Sequence, residues 1–346
     1  MELKYHNTIK LKTKKYLRYS EFTIELLLQL SEVPVPKPKE NDILVKVEAA
    51  SLNPIDWRIQ EGILRAPKLL SILPLPIPFV DCKFPFTPGV EIAGEVIDVG
   101  TNVKTVKKGD KVVSLLNYLN GGGLAQYAIA ESYTAVRPSG SRAAEYAGLP
   151  VAGVTALQIL KSIGAKFDGT GDKRNILITA ASGGVGQYLV QLARLAGLHV
   201  TATCGARNID LVRSLGANEV LDYKTPEGQQ LTSPSGKLYD CVINCVANTE
   251  WSSTLEANLT SDGKVIEVTP TPVTMARYWI KKLVRSNKLE VFMLKSDRED
   301  LEFMIKLVNE GSIRTVLDST YALDKAQEAW KRCMSGHATG KIIVEM

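Results

Sequence analysis

Histidine is scarce in this chain, at 3 of 346 residues, and its 5 cysteines (Cys82, Cys204, Cys241, Cys245 and Cys333) fall at no disulfide-like spacing. An odd, scattered set of thiols points to a reducing compartment and away from secretion. No four of them cluster as a structural zinc needs. The N-terminus lacks the apolar core segment of a secretory signal. The apolar run APKLLSILPLPIPFV (66–80) is too short and too rich in proline to span a bilayer. Internal repeats and low-complexity tracts are absent. No basic stripe interleaves with aromatic residues, which speaks against nucleic-acid binding. What is left is 45% hydrophobic and 23% charged with a net charge of +5, the composition of a soluble globular protein long enough for two domains. The positive charge concentrates only in KLKTKKYLR near the N-terminus, which reads as a solvated strand and turn, with attraction to a membrane surface as the alternative.

The densest pattern is NILITAASGGVGQYLVQLARLAGLHVTATCGARN, residues 175–208. NILITAA is a short continuous apolar run of the kind buried on both faces of a sheet. A glycine turn follows, then QYLVQLARLAG with Leu189, Val190, Leu192, Ala193 and Ala196 at helical spacing, then the β-rich HVTATC. Strand, turn, helix and strand make one βαβ unit. In a dinucleotide-binding G-x-G-x-x-G turn, the glycines allow a tight turn, close approach to a pyrophosphate, and close packing of helix on strand. Here those places hold Ala181, Gly183 and Gly186, so the first glycine is missing. Ser182, Gly183, Gly184, Val185 and Gly186 are the expected anion cradle at a helix N-terminus.

Around this unit the chain changes character. Residues 16–60 alternate as strands broken by the proline-rich PVPKPKEND, and EIAGEVIDVG and DKVVSLL continue a mostly β region without βαβ alternation. From 148 to about 295 strands and helices alternate, with strands expected near 175–181, 198–204, 218–222, 239–245 and 264–269 and a last one at LEVFML. That is an α/β, doubly wound parallel sheet. The tail reads helix, strand, helix, strand and returns to the first domain. The expected division is therefore 1–147 with 296–346, and 148–295.

EVPVPKPKENDILVKVEAASLNPIDW, TPGVEIAGEVIDVG, VKKGDKVV, GGGLAQYAIA, LPVAGVTALQ, AASGGVGQYLVQLA, LGANEVLDYKTPE and GHATGKIIV together resemble the medium-chain dehydrogenase/reductase superfamily. Within it the chain is most similar to the zinc-free quinone oxidoreductase and enone reductase branch, and to the plant chloroplast-envelope homologues that share TATCGARN, LDYKTPEG and HATGKIIVE. The resemblance implies a GroES-like, mostly β substrate domain interrupted by a Rossmann nucleotide-binding domain, usually in a homodimer. Location in the cytoplasm or at the chloroplast envelope is expected. Two departures fall in the substrate domain. Segment 63–86 is longer and more apolar than usual, and FTIELL replaces a glycine-rich turn after about a dozen extra N-terminal residues.

The second Rossmann strand ends in Cys204-Gly205-Ala206-Arg207, with no carboxylate for a ribose 2′-hydroxyl. A guanidinium there suits a 2′-phosphate, and Tyr223 matches the family tyrosine that packs on it, so NADPH is the expected cofactor. No metal is expected: zinc relatives place a histidine after glycine where this chain has Gly89-Val90-Glu91, and His6, His199 and His337 have no suitable cysteine beside them. Hydride donation to an activated, apolar enone or quinone is the reaction left. One-electron quinone reduction, a specialised biosynthetic enone or iminium reduction, and non-catalytic NADPH binding stay open as alternatives.

By the same resemblance, Asn53 and Asp56 in SLNPIDWR lie beside the nicotinamide as catalytic residues, and Arg58 takes the place of a cofactor-binding lysine. The plainer reading is that Asn53 and Asp56 only form an Asx-type turn. Thr155 approaches the nicotinamide, and Cys245-Val246 and Thr269-Pro270, at the ends of the fourth and fifth strands, line the cofactor crevice. Cys245 reads as a small buried apolar residue and not as a nucleophile. Segment 63–86 is expected as a wall or lid of the substrate site, with a dimer contact and a membrane-surface anchor as the other readings.

Overall fold

A computed structural model describes residues 8–17, 24–61, 86–118, 120–138, 140, 142–247, 252–284, 286 and 288–346. Its front part is built of strands. β1 (Thr8–Leu17) and β2 (Ile24–Val33) pair antiparallel as a two-stranded sheet, from Thr8 opposite Val33 to Leu17 opposite Ile24. The stretch 16–60, expected to alternate as strands, thus begins with the end of one strand and the whole of another, and residues 10–17 of the basic run lie on β1. β3 (Asp42–Leu52) leads into helix α1 (Pro54–Glu61), and β4 (Glu91–Val99), β5 (Lys111–Leu115), β6 (Tyr127–Glu131), β7 (Ala135–Val136) and the short α2 (Ala143–Ala147) follow. These strands share a core: Ile43, Val45, Ile92, Val112 and Leu124 join Trp330 and Ile342 from the far end of the chain.

Strand–helix alternation then begins. α3 (Val154–Ser162), β8 (Asn175–Ile178), α4 (Gly186–Leu195), β9 (His199–Cys204), α5 (Ile209–Leu215), β10 (Glu219–Asp222), α6 (Pro226–Gln230), β11 (Tyr239–Asn244), α7 (Ser252–Ala257), β12 (Leu259–Glu267), α8 (Pro272–Leu283) and β13 (Leu289–Val291) succeed one another. Their six strands form an all-parallel sheet in the order β10-β9-β8-β11-β12-β13, the doubly wound order in which direction reverses beside the first strand. All four residues of β8 are buried, as strands covered on both faces must be.

The tail supplies α9 (Arg298–Asn309), β14 (Leu317–Ala322), α10 (Ala326–Met334) and β15 (Lys341–Glu345). β15 pairs antiparallel with β3 and parallel with β14, so the last strand joins the sheet that the front began, in the order β14-β15-β3-β4-β5-β7 with β6 also on β3. The chain resolves into two compact units. The first runs to Val151 and takes Ser296–Asn309 and Leu317–Met346; the second is Ala152–Lys295 with Glu310–Val316.

The heptapeptide 310–316 belongs with α4 for a visible reason. Gly186 through Ala193 are all buried, including the polar Gln187, Tyr188 and Gln191. Gln191 Nε2 donates to Arg314 O at 3.0 Å while its Oε1 accepts from Arg314 N at 2.9 Å. Gln187 makes the same pair with Val316, donating to its O at 3.1 Å and accepting from its N. Tyr188 Oη lies 2.8 Å from Thr315 Oγ1. Two glutamines four residues apart share a helix face, so their amides act as the neighbouring strand that residues 314–316 would otherwise lack.

Candidate functional site

In the second unit the strand order reverses between β8 and β11, and ligands of such sheets sit at the carboxyl ends of those strands. The turn after β8 accounts for the missing glycine. The left-handed conformation falls on Ala180 (φ 48°), one residue before the place where the motif has glycine, so Ala181 needs none. Ala181 is buried, its N–H donating to Thr203 O at 2.8 Å. At Gly186 a Cβ would stand 2.3 Å from Ala180 O and 2.6 Å from Ala181 Cα, so no side chain fits. At Gly183 the nearest atom would be 3.1 Å away. α4 starts at Gly186 with Val185 as its N-cap and no side-chain cap; Gln187 N donates to Gly183 O and Tyr188 N to Val185 O, each at 3.1 Å, so an anion here would meet the turn ahead of them and the positive end of the helix. Ser182 Oγ accepts from Asn208 Nδ2 at 2.9 Å, tying this turn to the start of α5.

At the end of β9, Gly205 lies under the Tyr223 ring: a Cβ on Gly205 would stand 3.6 Å from it. Tyr223 N donates to Cys204 O at 3.2 Å. Exposed Arg207 sits in the single turn Ala206–Asn208 that follows. Lys224 Nζ lies 5.9 Å from the Tyr223 ring centroid, a second cation that the sequence reading passed over, although it directly follows the tyrosine in LDYKTPE. Asp222, the acid in this neighbourhood, accepts the N–H of Lys224 at 3.0 Å. Burial, with Asp222 nearby, pushes the Cys204 thiol up to about 11.

A buried polar chain ties three strand ends together. Thr179, after β8, donates its hydroxyl to Asn244 Oδ1 at 2.7 Å and accepts from Cys245 N at 2.9 Å. Asn244 Nδ2, at the end of β11, donates to Val246 O at 3.1 Å and to Glu267 Oε2, at the end of β12, at 2.9 Å. Burial raises Glu267 from 4.5 to about 7 against the opposing bond from Asn244 and the charge of Arg277. Beyond β12, Thr269 Oγ1 is shut off from solvent without a hydrogen-bond partner, and Pro270 follows it. Burial pushes the Cys245 thiol up to about 12, so it is no thiolate nucleophile. Thr155 is buried in the first turn of α3, another helix without a side-chain N-cap. Thr179, Asn244 and Glu267 escaped the sequence reading because each polar residue sits alone in an apolar run; only the fold aligns them.

In the first unit, Asn53 precedes α1, Pro54 opens it, and Asp56 reaches back so that its Oδ2 accepts Asn53 N–H at 2.8 Å. This is the returning half of a capping box. Asp56 Oδ1 is buried and accepts no hydrogen bond. The Asn53 side chain is held elsewhere: Nδ2 donates to Glu91 Oε1 at 2.7 Å, and Oδ1 accepts from Lys341 Nζ at 2.7 Å. Lys341 Nζ also lies 3.0 Å from Glu91 Oε1 and donates to Leu52 O at 3.2 Å, while Glu91 Oε2 accepts from Val151 N at 2.7 Å. Lys341 and Glu91 are 2% and 0% exposed, so the ion pair is desolvated with its hydrogen-bonding groups engaged. Burial lifts the Asp56 carboxyl from 3.8 to about 7; the Asn53 N–H pulls it down and the Glu91 charge pushes it further up. Tyr118, whose phenol is raised by burial and by the charges of Glu91 and Asp56, packs with Ile55, Ile59 and Phe86. Arg58 lies with its guanidinium 5.4 Å from the Trp57 ring centroid. Lys341 gave no signal in sequence, since it stands at the head of a closing strand almost 290 residues from its partner Asn53.

Segment 63–86 lies outside the described residues except for Phe86, as do Cys82 and His6. His199 Nδ1 is 2.9 Å from Asn175 Oδ1 and His337 is exposed. Among the described residues no group of three or more His, Cys, Asp or Glu side chains could hold a metal ion. Among them, too, no helix is long and apolar enough to cross a membrane.

Two protein families match the chain: the alcohol dehydrogenase GroES-like domain over residues 39–155 and the zinc-binding dehydrogenase over residues 215–344. The chain is 56% identical over 321 residues to the chloroplast envelope quinone oxidoreductase homolog of Arabidopsis thaliana, covering 92% of this chain and 94% of that one. It is 52% identical to the chloroplastic quinone-oxidoreductase homolog of Spinacia oleracea, covering 91% and 92%. Among solved structures, the quinone oxidoreductase from Coxiella burnetii is similar with a TM-score of 0.81 and 27% identity, over 99% of this chain and 100% of that one.

Proposed function

Because the chain belongs to the medium-chain dehydrogenase/reductase family, with a GroES-like domain and a Rossmann-like nucleotide-binding domain, we propose that it is an NADPH-dependent reductase of α,β-unsaturated carbonyls or quinones. The observation that carries the cofactor half is the glycine turn that opens α4, a helix with no side-chain cap, where Gly186 lets the helix pack so closely on Ala180 and Ala181 that a Cβ has no room. Ser182 to Gly186 hold the pyrophosphate. Arg207, Lys224 and the Tyr223 ring beside Gly205 hold a 2′-phosphate near Cys204. Thr155, Cys245, Val246, Thr269 and Pro270 line the nicotinamide end, where the Thr269 hydroxyl still lacks a partner. Arg58 is assigned to the cofactor on resemblance alone. The bound cofactor supplies the hydride, which goes to the β-carbon of the enone or to the quinone.

The first unit supplies the polar groups. Asn53, its amide fixed by Lys341 and Glu91, has a second N–H on Nδ2 to offer a carbonyl oxygen that gathers negative charge. Asp56, protonated up to about pH 7, supplies the proton that the resulting enolate needs. The reaction proceeds without zinc in this reading: Val90 stands where zinc relatives place a histidine, and the Lys341 ammonium already neutralises Glu91 beside it. Location in the chloroplast and assembly as a homodimer are carried over from the envelope relatives and the family.

The test follows NADPH oxidation over a panel of enones, enals and quinones, before and after exhaustive chelation. Turnover of at least one acceptor, unchanged by chelation, is expected. Activity lost on chelation and restored by zinc would overturn the metal-free reading. Tight NADPH binding with no turnover of any acceptor would favour a cofactor-binding protein that is not an enzyme.

A further inference from the structure

Three adjacent strands of the parallel sheet run apolar and then end polar. β11 buries Cys241, Val242 and Ile243 before Asn244, and β12 buries Val265 and Ile266 before Glu267. β8 is apolar from Ile176 to Ile178, and Thr179 follows it. Thr179, Asn244 and Glu267 are themselves 0%, 1% and 7% exposed. Parallel strands covered on both faces hold together by their ladder and by apolar packing. A hydroxyl, an amide and a carboxyl buried side by side add a desolvation cost that hydrogen bonds must offset. That cost falls at the carboxyl ends of neighbouring strands, the edge where ligands of such sheets bind.

Beyond Asn244 the chain leaves the strand, and side chains take over its backbone groups. Cys245 N donates to Thr179 Oγ1 at 2.9 Å, Val246 N donates to Asn244 Oδ1 at 3.3 Å, and Val246 O accepts from Asn244 Nδ2 at 3.1 Å. The Asn244 amide thus closes on both backbone polar groups of Val246. Its other Nδ2 hydrogen goes to Glu267 Oε2 at 2.9 Å, and its oxygen also accepts the Thr179 hydroxyl at 2.7 Å. Turned over, the amide would set its oxygen against Glu267 Oε2 and Val246 O, and its NH2 group against Val246 N–H. Glu267 therefore fixes the amide in the orientation that holds residue 246. Arg277 on α8 and the Cys245 thiol also feel the Glu267 charge, and Glu256 on α7 pairs with Arg277 at 3.3 Å.

We propose that Asn244 and Glu267 are positioning residues for the dinucleotide: Glu267 orients the Asn244 amide, and the amide holds the 245–246 backbone in the shape that the nicotinamide half of NADPH meets. Both act through that backbone and not on the reacting atoms. The inference rests on the cofactor reading above and adds the residues that shape its nicotinamide end.

Asn244→Asp keeps the shape of the side chain and removes both of its donors. It sets a second carboxyl against Glu267, and two carboxyls so close hold one proton between them until pH rises. NADPH affinity, read by fluorescence titration of the full-length protein, should fall about tenfold at pH 8.5 and by less at pH 6. The fragment 2′,5′-ADP, which carries the 2′-phosphate and lacks the nicotinamide, should bind this variant as it binds the wild type. Adding Glu267→Gln gives the new carboxylate a donor; it should recover about threefold of the lost affinity and remove its dependence on pH. Glu267→Leu frees the amide to turn over without adding charge, and should show the same split between the two ligands at both pH values. NADPH and 2′,5′-ADP weakened together would make the pair a support of the whole sheet and overturn the proposal. NADPH affinity unchanged in Asn244→Asp and in Glu267→Leu would overturn it too, with the cofactor reading intact. A wild type that binds neither ligand would overturn the cofactor reading and this inference with it.

Discussion

The two carboxylate oxygens of Asp56 live in different circumstances: one caps α1 and the other accepts nothing. An asparagine in its place keeps the cap, through its carbonyl oxygen, and has no acidic proton. Asp56→Asn should therefore lower kcat by about a hundredfold or more. It should also erase the fall in rate expected of the wild type as pH rises through about 7. A profile that keeps its alkaline limb in the variant would assign that limb to another group. Arg207 is the second residue with a separable role. NADPH should bind at least about tenfold more tightly than NADH, a gap of about 1.4 kcal/mol, and Arg207→Ala should remove most of the preference. Lys224, whose Nζ lies 5.9 Å from the Tyr223 ring centroid, is expected to retain the remainder. Equal affinities for the two cofactors in the unmutated protein would overturn the assignment.

At the scale of elements, the turn between β8 and α4 shows what local pattern can and cannot reveal. The order of strand, turn, helix and strand was legible because burial on both faces and helical spacing are written in adjacent residues. Gly186 was legible as well, and its replacement is a clear experiment. Gly186→Ala would push a methyl carbon to within 2.3 Å of Ala180 O, so the helix must move off the strand. A loss of stability of about 1–3 kcal/mol and weaker NADPH binding by fluorescence titration are expected. An alanine variant of unchanged affinity would mean that the cradle tolerates a shift. The shift of the left-handed residue to Ala180 could not be read, because the sequence records which residue is small and not which one turns. The partners of Gln187 and Gln191 were equally hidden. Nothing near them in the sequence names a partner, and the backbone that covers them lies more than 120 residues downstream.

For the molecule as a whole, Asp56 in one unit and Glu267 in the other act in the same direction on stability. Both are raised to about 7 in the fold from 3.8 and 4.5, so the native state binds protons that the unfolded chain has released. Their stabilising effect is complete below about pH 4 and is lost as pH rises to about 7, on the order of 3 kcal/mol for each group. Asp318, Glu219 and Asp98 are lowered instead, and their contributions are lost only on further acidification. Urea unfolding should give a lower midpoint at pH 8 than at pH 5, and Asp56→Asn/Glu267→Gln should flatten the difference. A wild-type midpoint independent of pH over that range would refute it. The architecture was legible at this scale, since β-rich and alternating stretches differ in composition over long windows. The polar clusters were not, because Asn53, Glu91 and Lys341 converge only when the last strand has paired with β3.

The heptapeptide 310–316 has a consequence for synthesis. α4, which presents the phosphate-binding turn, is made early, yet Gln187, Tyr188 and Gln191 wait for residues 314–316 before their polar groups are satisfied. β3, made earlier still, waits for β15 at the very end. The second unit is therefore incomplete on the ribosome until residue 316 has been made, and the first until β15 has been made. A nascent chain stopped after residue 295 would hold a whole parallel sheet and a helix with three buried polar side chains exposed to whatever binds them first. Premature termination should yield a chaperone client and not a smaller working enzyme.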